Sequence, residues 1–306
     1  VNGDRVSASV FVDAPPEIAF EVFTEQIDAW WRHGLKFRAG GRGLSVLHLE
    51  PRLGGRLFET IAADGSTERH VVQTGTVTAW HPPHALGIEW RGVNFAPHEK
   101  TTLTVTFEPR RDGTQVTLVH AGFAALPPDH PVRHGQPAPQ FIARMGMWWS
   151  DQATSLRMRV ADEMRAPWLR IARGELGVQA FPPGGSNPRI TGYHAGTSIA
   201  GYDDKASWCS SFVHWTLAQA GIAGTGSALA RSWLAWGEPL AEPRHGCVAV
   251  LWREDPQSWR GHVGFFVRFE GDDVVLLGGN QLSSVREHRY PRGQVLGWRW
   301  PPTKGV

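Results

Sequence analysis

Residues Val6-Ser7-Ala8-Ser9-Val10-Phe11-Val12 largely alternate between apolar and polar, the two-residue period of a strand with one buried face. Similar short segments at 44–50, 55–61, 73–80, 86–90, 101–108 and 115–120 are separated by the turn signals Asp64-Gly65, Pro82-Pro83 and Asp112-Gly113. Connections this local predict a meander, hence a curved antiparallel sheet. Two helices interrupt it early. Asp13-Ala14-Pro15-Pro16-Glu17 opens the first with proline near its first position, and a second carries Phe23, Ile27, Trp30 and Trp31. Past the proline-rich loop 126–139 the period changes. Phe141, Met145, Trp148, Trp149, Gln152, Leu156 and Val160 recur at three- and four-residue steps, predicting one long helix with a broad apolar face.

That helical pattern stops at Ala166-Pro167, where a new apolar helix begins with Trp168, Leu169, Ile171, Ala172 and Leu176, closed by Gly177. A short helix is predicted from Pro188, another at 227–236, and between them one in which Cys209, Phe212, Val213, Leu217 and Ala220 share a face before Gly221 ends it. Strands are predicted at 247–252, 261–269, 274–277 and 295–300, with Gly271-Asp272 as a hairpin turn. Helices first and a small antiparallel sheet afterwards make this half α+β. The expected architecture is two α+β domains, 1–164 and 165–306, in keeping with a chain of 306 residues.

Composition narrows the partners. A hydrophobic share of 41% is that of a globular protein, and a formal charge of +2 with interspersed signs leaves no basic stripe for nucleic acid. No apolar run is long enough to span a bilayer, and Val1-Asn2-Gly3-Asp4-Arg5 shows no charged-then-apolar leader, so the cytoplasm is the default expectation. The histidines of the first half, His48, His70, His81 and His120, lack metal-ligand spacing and read as surface or internally satisfied residues. No metal or cofactor is expected. Cys209 and Cys247 read as thiols.

Cys209 carries the candidate chemistry. It falls in the first turn of its predicted helix, with Ser207 as N-cap, where backbone N–H groups and the helix dipole favour thiolate. The plain alternative is a buried structural cysteine. His262 begins an apolar strand between Gly261 and Gly264, and Asn280 ends the next strand after Gly278-Gly279. Neighbouring antiparallel strands place the end of one beside the start of the next, so the Asn280 amide oxygen is expected to accept from His262 Nδ1 and leave Nε2 facing the thiol. A nucleophile on a helix, then a histidine and a polar residue on later strands, is the papain-like order for cysteine catalysis. Read singly, His262 is equally a strand-end histidine and Asn280 a turn residue.

Two resemblances extend these readings. Val10-Phe11-Val12-Asp13-Ala14-Pro15-Pro16-Glu17, Trp30-Trp31, Glu50-Pro51-Arg52-Leu53-Gly54-Gly55-Arg56-Leu57, Gly75-Thr76-Val77-Thr78-Ala79-Trp80-His81-Pro82-Pro83 and the stretch 112–123 resemble the START-like, SRPBCC superfamily, in its branch of heat-shock-protein ATPase activator homologues. The likeness spans about residues 5–163 and implies a helix-grip fold whose cavity holds an apolar small molecule. Trp31, Trp80, Trp90 and Trp148 are the candidate wall residues, with core packing as the alternative for each.

The second half is similar to the NlpC- and CHAP-type cysteine amidases and peptidases. The match rests on Trp208-Cys209-Ser210-Ser211-Phe212-Val213, on Gly224-Thr225-Gly226-Ser227 with Arg231-Ser232-Trp233-Leu234, and on Val250-Leu251-Trp252-Arg253. Gly261-His262-Val263-Gly264-Phe265 and Leu277-Gly278-Gly279-Asn280-Gln281 complete it. The resemblance implies hydrolysis of amide bonds in peptidoglycan peptides, or of another amide, with Cys209 as nucleophile, His262 as base and Asn280 as orienting residue. Trp208, Asp204, Trp233 and Gln281 are the candidates for contact with the substrate. Two departures stand out: Gly278-Gly279 replaces the acidic residue common before the asparagine, and Cys247 stands where relatives place aspartate. Peptidoglycan lies outside the membrane, so this activity implies a phage-like or otherwise non-classical release route. The rival reading is non-enzymatic, with an apolar ligand in the first domain and a degenerate scaffold in the second.

Overall fold

A computed structural model describes residues 4–41, 45–62 and 69–302. The expected turn at Asp64-Gly65 and the strand start at Leu44 lie outside the described residues. The chain divides into two compact units, Val1–Met164 and Arg165–Val306.

In the first unit β1 (Arg5–Val12) leads into α1 (Pro16–Glu25) and α2 (Ile27–Trp30). Then come β2 (Ser45–Leu49), β3 (Arg56–Ala62), β4 (Arg69–His81), β5 (Ala85–Trp90), β6 (Thr101–Arg110) and β7 (Gly113–Ala121), followed by α3 (Ala138–Arg165). The seven strands form one antiparallel sheet in the order β1-β7-β6-β5-β4-β3-β2. Every sequence-adjacent pair from β2 to β7 is a neighbour in the sheet, and β1 closes on β7. Alternate residues of β1 are buried and exposed throughout, the pattern of a strand with one face on a core. Phe141, Trp149, Gln152, Leu156 and Val160 line the buried face of α3, and Gln152 Oε1 accepts from the Arg32 N–H at 2.9 Å. The amide oxygen of this polar residue inside an apolar stripe is thereby satisfied, while its Nε2 is buried without a partner among the described residues.

The second unit begins with α4 (Trp168–Arg173), α5 (Pro188–Tyr193) and α6 (Cys209–Gln219). The strands are β8 (Glu238–Leu240), β9 (Val248–Trp252), β10 (Gly261–Glu270), β11 (Asp273–Gln281), β12 (Ser284–Pro291) and β13 (Val295–Trp300), in the sheet order β12-β11-β10-β9-β13-β8. The helix expected at 227–236 is a 3₁₀ segment, Ala230–Ala235, because the Ser227 carbonyl turns aside to accept from Ser210 Oγ at 2.6 Å. α6 packs on one face of the sheet with Val263, Phe265 and Leu277, while Ala249, Leu251, Phe266, Val274 and Leu276 fill the other. Gly279 makes the close approach possible. A Cβ there would lie 2.5 Å from the Trp208 ring and 2.6 Å from Phe212 Cβ, so only glycine lets α6 rest on β11.

Candidate active site around Cys209

The first turn of α6 is held from several sides. Trp208 is its N-cap residue in place of the expected Ser207 and makes no side-chain cap. Ser210 Oγ accepts from Trp233 Nε1 at 2.8 Å while donating to the Ser227 carbonyl, and Ser211 Oγ meets His194 Nδ1 at 2.9 Å. Cys209 thus sits at a fixed helix start with only 5% of its surface exposed.

The sheet opens where the sulfur lies. β10 pairs with β9 from Gly261 onward, but its pairing with β11 starts only at Phe265↔Leu277. The backbone N–H groups of Val263, Ser210 and Cys209 itself are directed at Cys209 Sγ. Burial nevertheless dominates and pushes the thiol above its ordinary value, against those N–H groups and the Arg253 charge. The thiolate bias expected of a helix start is therefore outweighed by desolvation, and the resting form is the thiol.

His262 stands opposite Leu251 on β9, with 4% of its surface exposed. Its partner is Gln281: Nε2 and Oε1 are 3.1 Å apart. The Gln281 amide nitrogen donates to the Leu276 carbonyl at 3.1 Å and to the Arg286 carbonyl, so its oxygen is the end turned to the ring. An amide oxygen only accepts, which puts the imidazole proton on Nε2 and leaves Nδ1 as the bare, basic nitrogen. Burial lowers the His262 pKa to about 4; Gln281 opposes the fall, and Arg253 and His288 add to it. At neutral pH the ring is an uncharged base. Tyr290 lies 5.1 Å from it between ring centroids, and its phenol is raised by burial and by its closeness to Cys209. No hydrogen bond joins Cys209 and His262 among the described residues.

The partner of His262 is therefore Gln281 in place of the expected Asn280, and it meets Nε2 in place of Nδ1. Continued past Phe265↔Leu277 the register would set Asn280 opposite His262, but the two strands are no longer paired there, and the Asn280 backbone turns left-handed, φ 58°, which breaks the alternation of faces. The next side chain, Gln281, swings beneath Gly278 and takes the histidine. Other expected substrate contacts prove to be framework. Trp208 and Trp233 are fully buried, the first beside Tyr193 and the second against Trp236. Asp204 is buried too, accepting from the Phe181 and Asn187 N–H groups at 2.8 Å each and from Lys205 Nζ at 2.6 Å. Burial resists its ionisation, but these donors hold the carboxyl down at about 2. Cys247 is buried on the sheet face away from α6, its thiol pushed up to about 12 by burial. Tyr290 and His288 were missed because β12, Ser284–Pro291, is mostly polar and carries no apolar period.

In the first unit, Trp31 and Trp90 stack 5.8 Å apart and line a pocket of about 170 Å³ together with Phe37, Leu47, Arg38 and Glu59. Trp148 packs edge-on to both rings and donates Nε1 to the Lys36 carbonyl at 2.8 Å. Trp80 belongs elsewhere, against Phe20 at 5.1 Å, and is not part of that wall. His120 is a satisfied core histidine: Nδ1 accepts from Trp149 Nε1 at 3.2 Å, Nε2 meets Thr101 Oγ1 at 2.8 Å, and burial lowers its pKa to about 3. His48 meets Thr60 Oγ1 at 3.0 Å.

Among the described residues no group of three or more His, Cys, Asp or Glu is placed to hold a metal, and no helix is long and apolar enough to cross a membrane. No curated protein matches the chain. Similar solved structures include a Mesorhizobium loti protein, 19% identical over 51% of this chain and 96% of that one, TM-score 0.36. A Staphylococcus aureus protein of unknown function is 13% identical over 52% of this chain and 94% of its own, TM-score 0.39. An HSP90 activator from Plasmodium falciparum is 20% identical over 48% of this chain and 88% of its own, TM-score 0.32. Residues 13–146 match the family model described as Activator of Hsp90 ATPase homolog 1-like protein, and the curled antiparallel sheet with α3 fits the START-like, helix-grip fold of such proteins.

Proposed function

We propose that the second unit is a papain-like cysteine amide hydrolase and that the first binds a small apolar molecule. The observation that carries the first part is the pair of fixed groups at the splayed end of β10: a sulfur faced by three backbone N–H groups, and a histidine whose tautomer Gln281 sets. In the reaction, the Cys209 sulfur attacks the amide carbonyl and its proton passes to His262 Nδ1. Backbone N–H groups at the helix start hold the oxyanion; a donor of this kind is typically worth about 3 kcal/mol. The imidazolium then protonates the departing amine, leaving a thioester. Water, deprotonated by His262, cleaves the thioester to an acid and the free thiol. Peptidoglycan peptides are the substrate that the sequence resemblance implies.

The stacked Trp31 and Trp90 support the ligand-binding part, at a volume suited to a single-ring molecule. One observation favours a non-catalytic second unit: burial raises the Cys209 thiol, as in an inert core cysteine. Defined muropeptides incubated with the wild-type chain and with Cys209→Ala, with products read by mass, decide between them. Cleavage lost in the variant with its fold retained is the expected result. Undiminished cleavage in the variant overturns the nucleophile.

A further inference from the structure

The surroundings of Cys209 and His262 are one-sided in charge. The ionised group acting on Cys209, His262 and Tyr290 alike is Arg253, with His288 adding to its effect on His262. The strand register gives the geometric reason. Leu251 is paired with His262 and Trp252 with Gly261, so Arg253, the first residue past the end of β9, follows directly on the rung next to the ring. Arg253 is exposed; its carbonyl accepts from the Asp255 N–H at 2.8 Å, while its guanidinium makes no hydrogen bond or ion pair among the described residues.

Its neighbours are otherwise engaged. Glu254 pairs with Arg260 at 2.5 Å, and Asp255 Oδ1 accepts from the Gln257 N–H at 2.6 Å. The loop that carries them is braced, with Arg231 donating to the Pro256 carbonyl at 2.9 Å and to the Arg260 carbonyl at 3.2 Å. A guanidinium on a braced loop, unpaired and next to the His262 rung, is an open fork for a planar anion.

We propose that Arg253 is a specificity-determining residue: its guanidinium takes a carboxylate next to the scissile amide, so that the site selects acidic amides over neutral ones. This rests on Cys209 as the nucleophile. Two alkylating reagents of nearly equal size, iodoacetate and iodoacetamide, differ in the required charge and report it without turnover. Their rates at Cys209, mapped by peptide mass, are compared in the wild-type chain, Arg253→Gln and Arg253→Lys. For a charge in a partly solvated site, the iodoacetate-to-iodoacetamide rate ratio is expected to fall about fivefold in Arg253→Gln and to survive largely in Arg253→Lys. An unchanged ratio overturns the proposal, as does an equal slowing of both reagents, which makes Arg253 a stabiliser of the thiolate alone. A Cys209 inert to both reagents overturns the nucleophile and this proposal with it. A ratio that falls as expected in a chain that cleaves no muropeptide leaves carboxylate recognition standing and removes the amidase reading.

Discussion

Replacing Gln281 by leucine tests which side chain sets the His262 tautomer. In the folded chain the Gln281 amide joins three groups: the buried His262 Nε2–H at 3.1 Å, the buried Leu276 carbonyl at 3.1 Å and the part-buried Arg286 carbonyl. Leucine leaves all three without that partner. Each of the two fully buried groups left unsatisfied costs about 1–3 kcal/mol, and the apolar side chain recovers roughly 1–2 kcal/mol, so the net loss is about 2–3 kcal/mol in urea unfolding at the middle of those ranges. The ring, no longer held by Nε2, is free to exchange tautomers, and iodoacetamide alkylation of Cys209 at neutral pH is expected to slow about tenfold, the worth of one orienting hydrogen bond. Asn280→Gly is the control. Glycine suits the left-handed φ of 58°, so that variant is expected to keep its stability within about 0.5 kcal/mol and its alkylation rate unchanged. Alkylation slowed by Asn280→Gly and untouched by Gln281→Leu, measured well below the unfolding midpoint, refutes the assignment and restores Asn280.

Both buried histidines predict acid lability. His262 has a folded pKa of about 4 against an ordinary 6.5, so the folded chain holds fewer protons than the unfolded one between those values. Its contribution is complete above pH 6.5, is lost as pH falls toward 4 and is constant below that, about 3 kcal/mol in all. His120, at about 3, adds about 4–5 kcal/mol of loss between pH 6.5 and 3. Urea midpoints that stay flat from pH 7 to 4.5 refute both. Gly279→Ala is expected to destabilise by about 1–3 kcal/mol, since its Cβ meets Trp208 and Phe212 well inside contact distance; an unchanged midpoint shows that α6 does not bear on β11 there.

Strands of the first unit such as β1, β6 and β7 were legible because each buries one face only, and a two-residue period survives in the sequence whenever water lies on the other side. Cys209 was legible for a related reason: a helix start is marked by where the apolar face begins. The aromatic rings beside it were not. Trp208 and Trp233 flank functional positions in sequence, yet both fill the space around the first turn of α6, and large apolar rings carry no signal that separates a cleft wall from the packing behind it. β12 was hidden by the opposite fault. With Arg286, Glu287, His288 and Arg289 in succession it reads as solvated loop, although its edge position in the sheet suits such residues and it brings Tyr290 beside His262.

That Gln281 in place of Asn280 meets His262 has a more general cause. Reasoning from strand adjacency located the right pair of strand ends, because antiparallel register is a long-range regularity. It chose the wrong residue because the face of a side chain depends on an unbroken alternation, and a single residue at positive φ inverts every face beyond it. Gly278-Gly279-Asn280 supplies that inversion for separate reasons. Gly279 admits α6, Gly278 leaves room for the Gln281 amide, and asparagine tolerates the left-handed turn. The three residues that read as an ordinary turn are thus what permits helix, histidine and glutamine to converge. A substitution in them is expected to reach the site through geometry rather than through lost chemistry.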